Sequence, residues 1–201
     1  MPGRDSDEMK VGGIAQDAPK NADAYSEAFQ NIFEENKGLI YSLSFRLLGN
    51  RQEAENLTQE VFLNAFKSYP HFRGESKVST WLYRIAINLI NNELRGKKLK
   101  KLLSLDFLSE ESGRTPMIEP AHPRHGPPAE LEKKEMERVV QRLIKSLPER
   151  QRTAITLQYY EGLAYEEIAS AMEISHSSVE SLLYRAKQNL GKRLGPYLID
   201  S

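Results

Sequence analysis

The 201-residue chain balances 28 Lys and Arg against 28 Asp and Glu, is 39% hydrophobic and contains no cysteine. Its length suits one ordinary domain or two small ones, and the missing thiols exclude disulfides, thiolate metal sites and cysteine nucleophiles. No apolar run reaches the roughly 18–20 residues of a membrane span, and the polar N-terminal residues lack a signal-peptide core. The expectation is a cytoplasmic protein without stable membrane insertion.

Residues 1–26 show no periodicity and read as a flexible tail. From Ala28 to about Leu48, Ile32, Phe33, Ile40, Leu43, Leu47 and Leu48 repeat with helical spacing. Gly49 ends that helix, and Asn50 with Glu53 forms a capping pair for the next one. That helix buries Ala54, Leu57, Val61 and Ala65 before Pro70 stops it near Tyr69. After a turn at Arg73-Gly74, a third helix carries Val78, Leu82, Ile85, Ala86 and Leu89 on its apolar face. It is expected to end near Gly96, within a lysine run. Residues 27–101 thus form one helical domain.

Residues 102–130 contain five prolines and an acidic excess, which predicts an irregular linker. His122 and His125 lie inside it, but no cysteine or third ligand accompanies them, so linker polarity is preferred to a metal site. Residues 131–201 resume helical periodicity. Pro148 opens one helix and Gly162 follows it. The helix from Tyr165 to Met172, the turn Glu173-Ile174-Ser175 and the helix from His176 to about Leu194 then have helix-turn-helix spacing. The predicted fold is all-α, with two small helical domains joined by an irregular linker.

The zero net charge is a cancellation. Residues 67–101 hold nine cations and two acids, and residues 102–130 hold two cations and five acids. Such segregation is a footprint for a polyanionic partner, or else a solvated basic helix end. Opposite the apolar face of the third helix, Lys77, Trp81, Arg84, Asn88, Asn91 and Arg95 recur at alternating steps of four and three. Cations track phosphates, amides read base edges and an exposed indole stacks on unpaired bases. The competing reading makes Trp81 a half-buried core residue. On the last helix, Val179, Leu183, Ala186 and Leu190 form a buried edge, while His176, Ser177, Ser178, Glu180, Ser181, Tyr184, Arg185 and Lys187 face outward, as a helix in a major groove requires. An ordinary helical hairpin is the alternative.

The runs NLTQEVFLNAF (56–66), HFRGES (71–76) and STWLYRIAIN (79–88) resemble the second conserved region of bacterial RNA polymerase sigma factors, and LPERQR (147–152) and YEEIA (165–169) resemble the fourth. The lack of a substantial third domain resembles the extracytoplasmic-function (ECF) group. The resemblance implies that Gln59, Glu60, Phe62, Leu63 and Phe66 dock on the clamp helices of core RNA polymerase, with further contacts to its flap. It implies that Phe72, Lys77, Trp81, Arg84 and Asn88, joined by Asn91 and Arg95 of the stripe, engage the unpaired −10 element. The fourth-region helix, with Arg152, Tyr165, His176, Ser177, Ser178, Glu180, Ser181, Arg185 and Lys187, would read the −35 duplex. The acidic linker would thread toward the polymerase cleft.

Glu180 and Leu182 stand where many relatives carry arginine, and Ala164 where many carry a small polar cap. The implied function is a dissociable promoter-specificity subunit without cofactor, metal or catalytic residues, held in check by an anti-sigma factor. Alternatives are a sigma-like decoy that only sequesters such a regulator, and a stand-alone helix-turn-helix repressor, which leaves the first domain unexplained. A hydrolytic enzyme is the weakest option, since no nucleophile–base–orienter set or glycine-rich phosphate loop is present.

Overall fold

The computed structural model describes residues 22–103 and 138–199, and among them every regular element is helical. The N-terminal residues ahead of Ala22, the two linker histidines and nearly all of the acidic linker lie outside the described residues.

Helix α1 spans Ala22–Leu48 and starts inside the expected tail. The reason is a longer apolar stripe than the one identified from the sequence: Tyr25 and Phe29 extend it by one more turn. The Tyr25 ring meets Phe66 edge-on at 5.1 Å, and Phe29 lies edge-on to Phe62, Phe66 and Tyr69. Asn36 interrupts the stripe yet is buried, because its Nδ2 donates to the Ile32 carbonyl at 2.8 Å and is thereby satisfied.

Gly49 takes φ 75°, a left-handed conformation glycine adopts without a Cβ clash, and redirects the chain into α2, Arg51–Ser68. Asn50 caps α2 as expected, its side chain accepting from the Glu53 N–H at 3.1 Å. A 3-10 turn at Tyr69–His71 follows. Helix α3 then runs over Val78–Leu103, straight through Gly96. A mid-helix glycine costs only about 1 kcal/mol relative to alanine, and an ion pair from Lys97 to Glu53 of α2 ties down the turn beyond it. The expected stop at Gly96 is therefore overridden by tertiary contact.

Helix α4 covers the described residues 138–145. Pro148 is the N-cap of α5, Glu149–Tyr159, and Gly162 at φ 69° turns the chain into α6, Tyr165–Met172. Ala164 has no side-chain acceptor, so only half of a capping box forms at α6: Glu167 Oε2 accepts from the Ala164 N–H at 2.9 Å. Glu173 holds the left-handed conformation at φ 52° and ends α6. Ser175 then caps α7, His176–Ile199, with its Oγ accepting from the Ser178 N–H at 3.3 Å.

The first domain packs α1, α2 and α3 around Ile40, Leu43, Val61, Leu82 and Ile90. The second packs α5, α6 and α7 around Leu157, Ile168, Val179 and Leu183. The two do not hang apart on a linker: α3 lies against α6 and α1 against α5, and the buried cluster is continuous across the junction.

Candidate polymerase and nucleic-acid interfaces

On α2, Gln59 and Glu60 are exposed, Leu63 is 61% exposed and Phe66 42%. Phe62 departs from its expected place on this surface. It is 5% exposed, and its ring packs edge-on against Phe33 at 4.8 Å and Phe29 at 6.5 Å. One step of 100° separates Phe62 from Leu63, and α1 covers only the former.

The α3 stripe is similarly divided. Lys77, Arg84, Asn88 and Arg95 are exposed and Asn91 is half-buried. Trp81 is 5% exposed, so the exposed stacking platform is corrected in favour of a core indole. The 3-10 turn and the loop after it fold over this position, bringing Phe72 to 4.8 Å and Tyr69 to 6.4 Å from the indole ring. Phe72 itself is half-buried on top of it. The indole thus supports the loop that presents Phe72.

On α7, His176, Ser177, Glu180, Ser181, Tyr184, Arg185 and Lys187 are exposed, and Ser178 is half-buried by its capping contact. His176 stands between two carboxylates, with Nε2 3.3 Å from Glu166 and Nδ1 3.8 Å from Glu180, and pairs with them when protonated. Its ring lies 5.7 Å from that of Tyr165, which is half-buried. Lys187 sits over the Tyr159 ring at 5.7 Å. Arg152, expected at the −35 surface, is half-buried instead. Its Nη1 donates to the Lys145 carbonyl at 3.2 Å, and burial pulls its pKa below the usual arginine value. It braces the junction of α4 and α5.

Sequence reasoning missed the contacts that join the domains, and the residues Tyr83, Arg46 and Glu161 that make two of them. Tyr83 Oη donates to Glu161 Oε2 at 2.9 Å, and Arg46 Nε lies 3.9 Å from Glu161 Oε1 with its guanidinium 4.0 Å over the Tyr160 ring. Lys77 pairs with Glu167 at 2.8 Å, and Asn88 Nδ2 donates to Glu173 at 3.4 Å. Burial raises the pKa of the Glu161 carboxyl, opposed by the Tyr83 hydrogen bond and Arg46. Burial beside that carboxylate raises the Tyr83 phenol. Glu167 is shifted the other way, lowered by Lys77 and the Ala164 N–H. By linkage, the contribution of Glu167 is present at neutral pH and lost as acid protonates it, whereas Glu161 favours the buried state more in acid. One sequence signal was available: Tyr83, Ile87 and Ile90, all buried, trace a second apolar stripe on α3.

No described helix is long and apolar enough to cross a membrane, and no group of three or more His, Asp or Glu side chains among the described residues is placed to hold a metal ion. A helix-turn-helix together with a cation–amide helix face gives the chain the surfaces of a nucleic-acid-binding protein.

Comparison with known proteins resolves the class. The family models for sigma-70 region 2 and sigma-70 region 4 match residues 32–99 and 137–190. The chain is 36% identical over 161 residues to the RNA polymerase sigma-H factor of Pseudomonas aeruginosa, covering 79% of this chain and 82% of that one. It is 34% identical over 168 residues to the ECF RNA polymerase sigma factor SigW of Bacillus subtilis, covering 84% and 89%. In fold it is similar to the sigma factor RpoE of Bartonella quintana, solved with the anti-sigma factor NepR, at TM-score 0.64 and 20% identity over 84% of this chain and 98% of that one. It is also similar to CnrH, solved with the cytosolic domain of CnrY, at TM-score 0.58 and 20% identity over 87% and 94%. The chain belongs to the sigma-70 family of RNA polymerase sigma factors, within the ECF group.

Proposed function

We propose that the protein is a non-catalytic, dissociable specificity subunit acting in the cytoplasm. Gln59, Glu60, Leu63 and Phe66 dock on the clamp helices of core polymerase. Phe72, Lys77, Arg84, Asn88, Asn91 and Arg95 engage the unpaired −10 strand, with Trp81 holding Phe72 in place. The exposed N-terminal half of α7 reads the −35 duplex, and an anti-sigma factor controls the free subunit. The observation that carries this reading is the pairing, in one chain, of an exposed recognition helix with a separate helix face of cations and amides. Duplex readout and single-strand capture need those two different surfaces.

Run-off transcription with purified core polymerase on a library of promoter fragments tests it. Discrete transcripts that depend on this subunit support the proposal. Absence of transcripts alongside tight binding to an anti-sigma domain supports the decoy instead.

Glu180 gives a more specific expectation. It is an exposed acceptor on the recognition helix, suited to the N4 amino group of cytosine, and it repels phosphates. Glu180→Arg is expected to tighten −35 duplex binding, steepen its salt dependence by about one phosphate contact and change the preferred base. A competition assay over single-base duplex variants reads this; unchanged selectivity refutes the role.

A further inference from the structure

We infer that His176 is a specificity-determining residue of the −35 surface and works there as an imidazolium: held by Glu166, it neutralises and orients Glu180, so that duplex recognition takes up a proton. The inference rests on the −35 reading of α7 given above. His176 is the first residue of the recognition helix, and carboxylates from two elements flank its ring. Nε2 lies 3.3 Å from Glu166 Oε1 on α6, and Nδ1 lies 3.8 Å from Glu180 Oε1, one turn further along α7. The Tyr165 ring stands 5.7 Å away, and the His176 side chain is still 47% exposed.

Both ring nitrogens face carboxylate oxygens, which only accept. A neutral imidazole has one N–H, so its other nitrogen would turn a lone pair toward a carboxylate, whereas the imidazolium has a donor for each. Among the described residues, Glu166 and Glu180 are the ion-pair partners of the ring and the Tyr165 phenol is the other titratable group against it. Helix α5, also packed on α7, places no acidic group within 4 Å of the ring nitrogens. Glu167 and Glu173, on α6 and at its end, are engaged by Lys77 and Asn88. With a neutral ring, the base-reading end of α7 would bring two uncompensated carboxylates toward a polyanion. Phosphates repel those carboxylates and draw a proton to the ring. The pair at Oε1 leaves Glu180 Oε2 for the cytosine amino group. Exposed pairs of this kind add little to folding stability, so the effect of the cluster belongs in binding. Because the complex holds the proton more tightly than the free subunit, affinity is greatest at the acid end of the histidine range and falls as pH rises through about 5 to 8.

The test uses holoenzyme reconstituted from the full chain and core polymerase, with a pool of promoter fragments randomised over the −35 segment. Sequencing the bound fraction at about pH 5.5 and about pH 8 gives base preferences relative to one another within each pool, so effects of pH on the polymerase itself cancel. Fluorescence anisotropy on the most enriched fragment gives affinities, read as ratios of variant to parent at each pH. The parent is compared with His176→Gln, which keeps an N–H donor without the charge, and with His176→Arg, charged throughout the range. Glu166→Gln and Glu180→Gln complete the set, and circular-dichroism melting checks the fold of each.

Parent affinity is expected to fall by up to about tenfold per pH unit, the slope of one proton taken up. Its preference at the base position that Glu180→Gln alters is expected to be strongest in acid. Both His176 variants should flatten the profile, His176→Gln at the weak alkaline level and His176→Arg at the strong acid one. Glu166→Gln, which lies off the reading helix, is expected to reduce the slope and to broaden the preference at that same position. A slope like the parent's in both His176 variants overturns the inference, and so does a preference at the Glu180 position that ignores pH. If Glu180→Gln shifts one base preference while those slopes persist, the −35 reading stands and the proton linkage alone falls. If no α7 variant changes any base preference, the −35 reading falls and this inference falls with it.

Discussion

Leu63→Asp is expected to weaken binding to core polymerase by roughly 30-fold or more while leaving the thermal midpoint unchanged. Truncated interface hot spots cost about 2 kcal/mol and upward, and each 1.4 kcal/mol is about tenfold in affinity. Leu63 is 61% exposed, so its side chain contributes little to the core, and the aspartate remains solvated in the free protein. In the complex that carboxylate would be desolvated without a partner. The neighbouring Phe62, 5% exposed, supplies the contrast: Phe62→Asp should unfold the first domain rather than impair docking alone. Titration of labelled subunit with core polymerase, alongside circular-dichroism melting, measures both effects. Unchanged affinity in folded Leu63→Asp would remove this face of α2 from the interface.

Trp81→Ala carries a large expected cost in stability. Deleting a large buried aromatic side chain costs about 3–5 kcal/mol, from lost transfer energy and the cavity left behind. Trp81 also forms the floor under Phe72, so its removal is expected to loosen the loop preceding α3 and abolish strand opening. A defect in opening from Trp81→Ala alone would not separate support from direct stacking. Trp81→Phe does: it fills much of the volume and keeps an aromatic floor. It is expected to lose less than half as much stability and to retain promoter opening. Urea denaturation followed by circular dichroism gives the first quantity, and permanganate footprinting of promoter DNA the second. Full stability with opening lost in Trp81→Phe would return the indole to direct contact with DNA.

Much of the local structure was legible in the residues. Asn50 with Glu53, Ser175 ahead of α7, and Gly49 and Gly162 after α1 and α5 mark helix ends through groups within a few residues of one another. The helix-turn-helix was legible for the same reason, since its turn and caps are local. Gly96 misled because a local preference worth about 1 kcal/mol was set against contacts made from α2. Asn36 and Tyr25 were overlooked because one is polar and satisfied within its own helix, and the other finds its partners on α2 and the turn after it.

Spacing along a helix tells which side chains share a face, but not whether anything covers that face. Phe62 and Leu63 are adjacent, and Trp81 shares a stripe with exposed Lys77 and Arg84; no periodicity separates them. Their burial depends on α1 reaching back to Tyr25 and on the loop at Phe72 folding over α3. The interdomain contacts are more remote still, with Tyr83 and Glu161 78 positions apart in the chain. The sequence by itself determined most of the helices, the caps at Asn50 and Ser175, the recognition motif and the family, because backbone hydrogen bonding and capping act within one or two turns. Only the tertiary structure decided which aromatic residues are core and that the two domains pack together through α3 with α6 and α1 with α5. Those outcomes depend on excluding water between surfaces that the chain brings together from far apart.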